Sequence, residues 1–262
     1  MRARLVGLAA VRDAAANREV VRAALAEARG AGARLVVLPE YAAAFDPRGV
    51  GRDLAEPLDG PFTAALAEAG AGMTVLAGTV LPGGAEPGGD GRGVNTVVAV
   101  RDGTVVGSYA KVHLYDAFGR RESDRLVPGP ADAAPLVVDV DGLGVGVLTC
   151  YDLRFPESAR RVVDAGADVL AVPAAWASGP GKADQWLTLL RARAIENVAY
   201  VLGVAMRGPG VTGDLVVVDP AGVVVARSAR GVLDAELDRA VVTEARRINP
   251  SLENRRYRVV PW

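Results

Sequence analysis

The sequence predicts an α/β protein of four layers, helix–sheet–sheet–helix, built from two similar halves whose sheets pack face to face. Three observations carry that expectation. Continuous apolar runs such as LVVLPE (35–40) alternate with stretches of helical period such as 17–29. The segment AGARLVVLP (31–39) is echoed by AGADVLAVP (165–173), each reading helix end, strand, then proline. Each half then runs through a helix into strands joined by an Asp-Gly or Asp-Pro-Ala-Gly turn. No linker interrupts the chain, and the repeat is too long for a solenoid, so residues 1–262 read as a single domain.

Each element has its own signal. Residues 5–11 read as a first strand. A helix over 17–29 follows, with Val20, Val21, Leu25 and Ala28 at helical spacing and Gly30 as its stop. Residues 35–40 form a buried strand that ends in Pro39 and Glu40. A second helix covers 62–69 before a strand at 74–80, and the Gly- and Pro-rich stretch 82–93 is a surface loop. Strands 96–100 and 105–109 flank Asp102-Gly103, and Lys111 follows the second directly. The polar stretch 116–125 has no period and reads as a long loop. Strands 136–140 and 145–149 pair around Asp141-Gly142, and Cys150 comes next. Pro156 and Glu157 open a helix, because proline's missing N–H is unneeded in a first turn and the acid complements the dipole. A helix over 184–198 places Trp186, Leu189, Leu190, Ala194 and Ile195 on one face. Strands at 215–218 and 223–226 flank the second half's turn at 219–222. The tail 254–262 shows no core pattern; it is expected to dock on a partner subunit or to pack back on the domain.

Composition excludes several function classes. The net charge is −1, so no strong field favours nucleic acid or an anionic membrane. Half the residues are apolar, and at 262 residues a large core is available. The start, MRARLVGLAAVRD, has an apolar run too short to span a bilayer and no convincing cleavage pattern. A cytoplasmic protein is therefore expected. One Cys (Cys150) permits no internal disulfide, and one Cys with one His (His113) cannot fill an ordinary zinc site, so no metal is expected. There is no G-x-S-x-G elbow. The G-x-G-x-x-G match at 208–213 is followed by a strand pattern where a dinucleotide site needs a helix, so it is rejected as a cofactor signal. Only two lysines occur, Lys111 and Lys182.

Glu40, Lys111 and Cys150 each end or follow a buried strand, and reactive groups of α/β folds gather at the carboxyl ends of strands. Together they make a self-consistent acyl-transfer set. The thiol attacks a carbonyl or nitrile carbon, the carboxylate takes its proton and later passes it to leaving ammonia, and the cation stabilises the oxyanion. A free thiol has a pKa of about 8.5, so little thiolate exists at neutral pH and a base is required. Taken singly, each residue has a plainer explanation: Cys150 as a small core hydrophobe, Glu40 as a cap, Lys111 as a solvated strand end.

LPEY around Glu40, YAKVHLYDAFGRRESD around Lys111 and GVLTCYDLRFPE around Cys150 closely resemble the three signatures of the nitrilase, or carbon–nitrogen hydrolase, superfamily. The likeness continues through GADVLAVPAAW, WLTLLRARAIEN, VVDPAG and NRRY, nearly the whole chain. It implies a nitrilase-like αββα sandwich, a homodimer, and hydrolysis of amides or nitriles through a covalent Cys intermediate without metal or cofactor. It assigns Glu40 as general base, Lys111 as oxyanion donor, Cys150 as nucleophile and Glu122 as a second glutamate that holds the lysine charged; as a plain loop acid, Glu122 would be merely solvated. Tyr151 would supply a backbone oxyanion N–H.

Arg154 and Trp176 are placed to reach the pocket, Arg154 pairing with a substrate carboxylate; the competing reading puts Arg154 in an internal ion pair and Trp176 in the core or an interface. His113 reads as a packing and hydrogen-bonding residue, facing the same way as Lys111 if the strand continues. The motifs look most like the branch containing deaminated glutathione amidase and omega-amidase. That implies a small-molecule, keto-acid-type amide substrate, with no nucleic acid or membrane partner. An N-carbamoyl amino acid hydrolase, a nitrile hydrolase, an acyltransferase with the same triad, or a metabolite-binding protein that kept the fold remain as alternatives. Replacing Cys150 or Lys111 is expected to abolish turnover and leave the chain folded.

Overall fold

The computed structural model describes residues 1–83 and 91–261. In chain order the elements are β1 (Arg2–Val6), α1 (Ala14–Gly30), β2 (Leu35–Val37), α2 (Pro61–Ala69), β3 (Thr74–Pro82), β4 (Gly93–Arg101) and β5 (Thr104–Ala110). The second half follows with β6 (Val137–Val140), β7 (Leu143–Val147), α3 (Pro156–Asp164), β8 (Val169–Ala174), α4 (Lys182–Asn197), β9 (Tyr200–Ala205), β10 (Leu215–Val218) and β11 (Val224–Ser228). The chain then returns through β12 (Val232–Glu236) and α5 (Arg239–Ile248). Two six-stranded sheets result, ordered β12-β1-β2-β3-β4-β5 and β11-β10-β9-β8-β7-β6. In each, the central strands are parallel: β1, β2 and β3 in one, β7, β8 and β9 in the other, with antiparallel strands outside them.

Period-two alternation decides which layer each strand residue joins. Leu35 and Val37 face inward, where Leu5 and Leu76 of their own sheet meet Val145, Val169, Leu202 and Val217 of the other. Val36 and Leu38 face the other way, onto Val21 and Leu25 of α1 and Phe62 and Leu66 of α2. In the second sheet Leu170, Val172 and Val201 likewise turn outward onto Val162 of α3 and Trp186 and Leu190 of α4. The layers are therefore α, β, β, α, and each fully buried Leu or Val contributes about 1.5–3 kcal/mol relative to an exposed position.

Several sequence expectations shift. The first strand is Arg2–Val6 rather than 5–11, because Arg2 and Arg4 are satisfied across the ladder by Glu236 and Asp234 of β12. The same pairing hid β12, whose charged alternate residues disguise a strand. Helix α5, also unforeseen, starts at an Asp238 cap and docks through Arg246 on Asp168 and the Ala167 carbonyl. Val20 and Ile195, assigned to buried helix faces, are exposed, at 53% and 47%. Strand β5 stops at Ala110, so His113 does not share a strand face with Lys111. The Asp102-Gly103 turn has positive φ at both residues (48° and 79°), matching the hairpin signal. Most of the 82–93 loop, and Trp262 of the tail, lie outside the described residues; tail residues Tyr257 and Val260 are exposed.

Candidate active site

Each chemical group is delivered by a strand exit. Beyond β2 the chain continues through Leu38, bonded to Leu76 O at 2.8 Å, and then crosses β3 at Gly78. A Cβ at Gly78 would stand 2.5 Å from the Glu40 Cα, so only glycine lets the backbone carrying Glu40 lie there. Lys111 leaves β5 with its N–H on Asn95 O at 2.8 Å. Cys150 follows β7 and occupies the left-handed region at φ 46°, a conformation that costs a non-glycine residue of order 1–3 kcal/mol. Asp152 holds that turn in place. Fully buried, it accepts from Thr149 N (3.1 Å), Tyr109 Oη (2.8 Å) and His113 N (3.0 Å), and lies 2.8 Å from His113 Nδ1. His113 stacks on Phe155 with centroids 3.7 Å apart, which makes it a support of the turn.

Glu40, Tyr41, Lys111, Tyr115, Glu122 and Cys150 line a cavity of about 410 Å³. Lys111 Nζ donates to Glu40 Oε1 at 2.9 Å and to Glu122 at 2.8 and 3.1 Å. Asn95 Nδ2 lies 2.8 Å from the same Glu40 oxygen, 2.9 Å from Tyr41 Oη and 3.2 Å from Glu122 Oε1. Carboxylates only accept, so this nitrogen must face them. The other Glu40 oxygen accepts from Ala175 N at 2.7 Å; Glu122 accepts from Tyr115 N at 2.6 Å and from the Tyr41 hydroxyl. Lys111 and Glu40 are 1% exposed, so these contacts act in a medium where charge interactions are strong.

Burial by itself would push the Lys111 ammonium down, but the charges of Glu122 and Glu40 outweigh it and hold it well above the usual lysine value. Burial likewise favours neutral Glu122, yet Lys111 prevails and the carboxyl sits below its usual range. The Cys150 thiol is pushed well above its usual value, first by burial and then by the negative charge of Glu40. The resting cluster thus holds a neutral thiol beside two carboxylates sharing one ammonium.

Of the other sequence candidates, Tyr151 packs edge-on against Tyr115 and Phe155. Trp176 is buried, bonded through Nε1 to Lys182 O and set against Trp186. Arg154 makes no ion pair among the described residues, contrary to one of the two readings; it donates to Gln185 Oε1 at 2.7 Å and lies among aromatic rings. Tyr151, Arg154 and Trp176 share with Cys150 a small recess adjoining the cavity. Asn95, Tyr41 and Lys182 were missed. Asn95 is a polar residue within the apolar run VNTVVAV, a signal that went unread. The 208–213 loop joins antiparallel β9 and β10 and brings Pro209 and Val211 to the cavity rim. A larger cavity of about 660 Å³, lined by His113, Arg161 and tail residues 258–261 among others, lies apart from the carboxylates. Among the described residues no cluster of His, Cys, Asp and Glu is placed to hold a metal, and no helix is long and apolar enough to cross a membrane.

The family model described as carbon-nitrogen hydrolase matches residues 2–247. A Mycobacterium tuberculosis protein named only as a hydrolase is 43% identical over 216 residues, 80% of this chain and 74% of that protein. A deaminated glutathione amidase from Escherichia coli is 37% identical over 246 residues, 92% of each chain. Among solved structures, a member of branch 10 of the nitrilase superfamily from Saccharomyces cerevisiae superposes with a TM-score of 0.82 at 27% identity, covering 98% of this chain and 97% of its own.

Proposed function

The chain belongs to the carbon–nitrogen hydrolase family, an enzyme of amidase type, and from that premise we propose that it cleaves the C–N bond of a small, keto-acid-type carboxamide through a thioester on Cys150. The observation that carries the reading is the sharing of one buried ammonium, Lys111, by Glu40 and Glu122 beside a buried thiol.

In the proposed sequence Glu40 accepts the thiol proton as sulfur bonds to the amide carbon. Lys111 and the Tyr151 backbone N–H stabilise the oxyanion. Glu40 then returns the proton to the amide nitrogen, ammonia leaves, and a thioester remains. Water attacks next, giving its proton to Glu40 as the thioester carbonyl opens to a second oxyanion; the carbonyl re-forms as the C–S bond breaks, and Glu40 passes the proton to sulfur as the carboxylic acid departs. Glu40 becomes neutral midway through each half-reaction, and Glu122 then keeps Lys111 charged. Glu40 carries every proton: one from the thiol to nitrogen, then one from water to sulfur. The keto-acid branch rests on similarity to a protein named deaminated glutathione amidase. Carbamoyl, nitrile and acyl-transfer chemistry would use the same groups.

The working form in this reading is a cytoplasmic homodimer of single-domain subunits, with the 254–262 tail at the contact. Exposed Tyr257 and Val260 support that assignment, and sedimentation velocity decides it. The activity is tested by ammonia release from α-ketoglutaramate, deaminated glutathione, a carbamoyl amino acid, an aliphatic amide and a nitrile, with Cys150→Ala alongside. Ammonia from a keto-acid amide that depends on Cys150 is expected; wild-type turnover in the variant refutes the mechanism.

A further inference from the structure

Each of the chain's two lysines lines a cavity that Cys150 also lines. Lys111 belongs to the carboxylate cluster. Lys182, the first residue of α4, instead walls the small recess together with Arg154, Tyr151 and Trp176. The recess, about 20 Å³, admits little more than a water-sized group, and it shares Cys150 and Tyr115 with the 410 Å³ cavity of the carboxylate cluster.

The helix end and the neighbouring Arg154 both disfavour a cation standing alone at Lys182. It begins a helix, where the positive end of the dipole opposes it. Burial and then the Arg154 charge hold its pKa below the usual lysine value. Phe118 lies under both cations, with its centroid 3.2 Å from Lys182 Nζ and 5.5 Å from the Arg154 guanidinium carbon. Among the described residues neither cation has a carboxylate partner within 4.0 Å: Lys182 reaches only the Tyr115 hydroxyl, at 3.5 Å, and Arg154 only Gln185, with its Nε buried and unbonded. Two unneutralised cations held on one aromatic ring, beside a thiol, form a site that an anion completes.

We propose that Lys182 is a specificity-determining residue which, with Arg154, receives a carboxylate of the substrate while its amide is presented to Cys150. The inference rests on the amidase reading and deepens it. A carboxylate suits the site better than a bulkier anion because one of its oxygens is about the size of a water and can enter the recess from the adjoining cavity, and because recess and cavity share Cys150 and Tyr115 the carboxylate and the amide must be joined by a short chain.

The test uses the sole cysteine as its own reporter. Rates of Cys150 alkylation by iodoacetate and by neutral iodoacetamide are measured for the wild type, Lys182→Met and Lys182→Arg. Loss of one charge-assisted contact predicts that the iodoacetate-to-iodoacetamide ratio falls about tenfold in Lys182→Met, while Lys182→Arg keeps most of it. In parallel, the KM for glutaramate should rise by about 10- to 100-fold in Lys182→Met, with a smaller change in kcat. An equal alkylation ratio in wild type and Lys182→Met overturns the assignment and leaves the amidase reading standing. A wild-type thiol inert to iodoacetamide would instead overturn the nucleophile, and this proposal with it.

Discussion

Replacing Lys111 with methionine keeps the length of the side chain and removes the cation that two buried carboxylates share. Lys111 and Glu40 are 1% exposed at the side chain and Glu122 is 12% exposed, with contacts of 2.8–2.9 Å. Removing one partner of a buried pair costs about 3–5 kcal/mol, a large part of the ~5–15 kcal/mol that holds a domain together. At roughly 2–4 °C per kcal/mol, the melting temperature at pH 7 should fall by roughly 6–20 °C. A Lys111 variant expected to stay folded should therefore do so with a markedly smaller margin of stability. The pH dependence identifies the cause. In the wild type Glu122 is held below, and Lys111 above, its ordinary value. Their stabilisation is thus present from above the unfolded glutamate pKa of about 4.3 to beyond the unfolded lysine pKa of about 10.4. In the variant, Glu40 and Glu122 repel without a cation, and a folded pKa is raised. The destabilisation then applies at neutral pH and fades as acid protonates one carboxyl, so the gap to wild type should narrow between pH 7 and pH 5. On the proposed mechanism, in which Lys111 is an oxyanion donor, turnover should fall by about 10²–10³-fold. Thermal melts at both pH values and ammonia release supply the readouts. An unchanged melting temperature at pH 7, or wild-type turnover, refutes the reasoning.

Because burial and Glu40 raise the Cys150 thiol, its alkylation by iodoacetamide should still be climbing above pH 9; a plateau below about pH 8.5, the free-thiol value, would show that the thiolate is stabilised at rest and that Glu40 is not needed as a base. Asp152→Ala strands the buried Thr149 N–H, the His113 N–H and the Tyr109 hydroxyl, at about 1–3 kcal/mol for each donor left unpaired. It should lower stability by on the order of 3–9 kcal/mol in urea unfolding and slow Cys150 alkylation, and a wild-type unfolding midpoint would dismiss Asp152 as the support of the Cys150 turn.

The layers were legible because apolar period and proline punctuation are local. LVVLPE and DVLAVPAAW declare buried strands wherever they are placed, and the repeated segment announces two sheets of one plan. The ends of the chain were not legible. A strand such as RARLV or VLDAE is amphipathic only when its charges meet, and Arg4 meets Asp234 across 230 positions of sequence. Helix faces were misjudged at Val20 and Ile195 for a related reason: periodicity shows that a face is apolar, not how far the neighbouring sheet extends beneath it.

What the sequence by itself determined is chemical identity and order: a carboxylate, an ammonium and a thiol, each at the end of a run that must be buried, with two lysines and one cysteine to assign. Only the tertiary structure decided which groups share charge. Asn95 joins Glu40 to Glu122, Ala175 N–H faces Glu40 from the opposite sheet, and Asp152 rather than any residue of the cluster holds the Cys150 turn. The physical reason is range. Backbone propensity and hydrophobic period act over a few residues, whereas an ion pair or hydrogen bond depends on distances of about 3 Å between atoms that the sequence separates widely. Lys182 shows the difference most plainly, since in sequence it is one cation among 30 and in space it stands with Arg154 over a single ring beside Cys150.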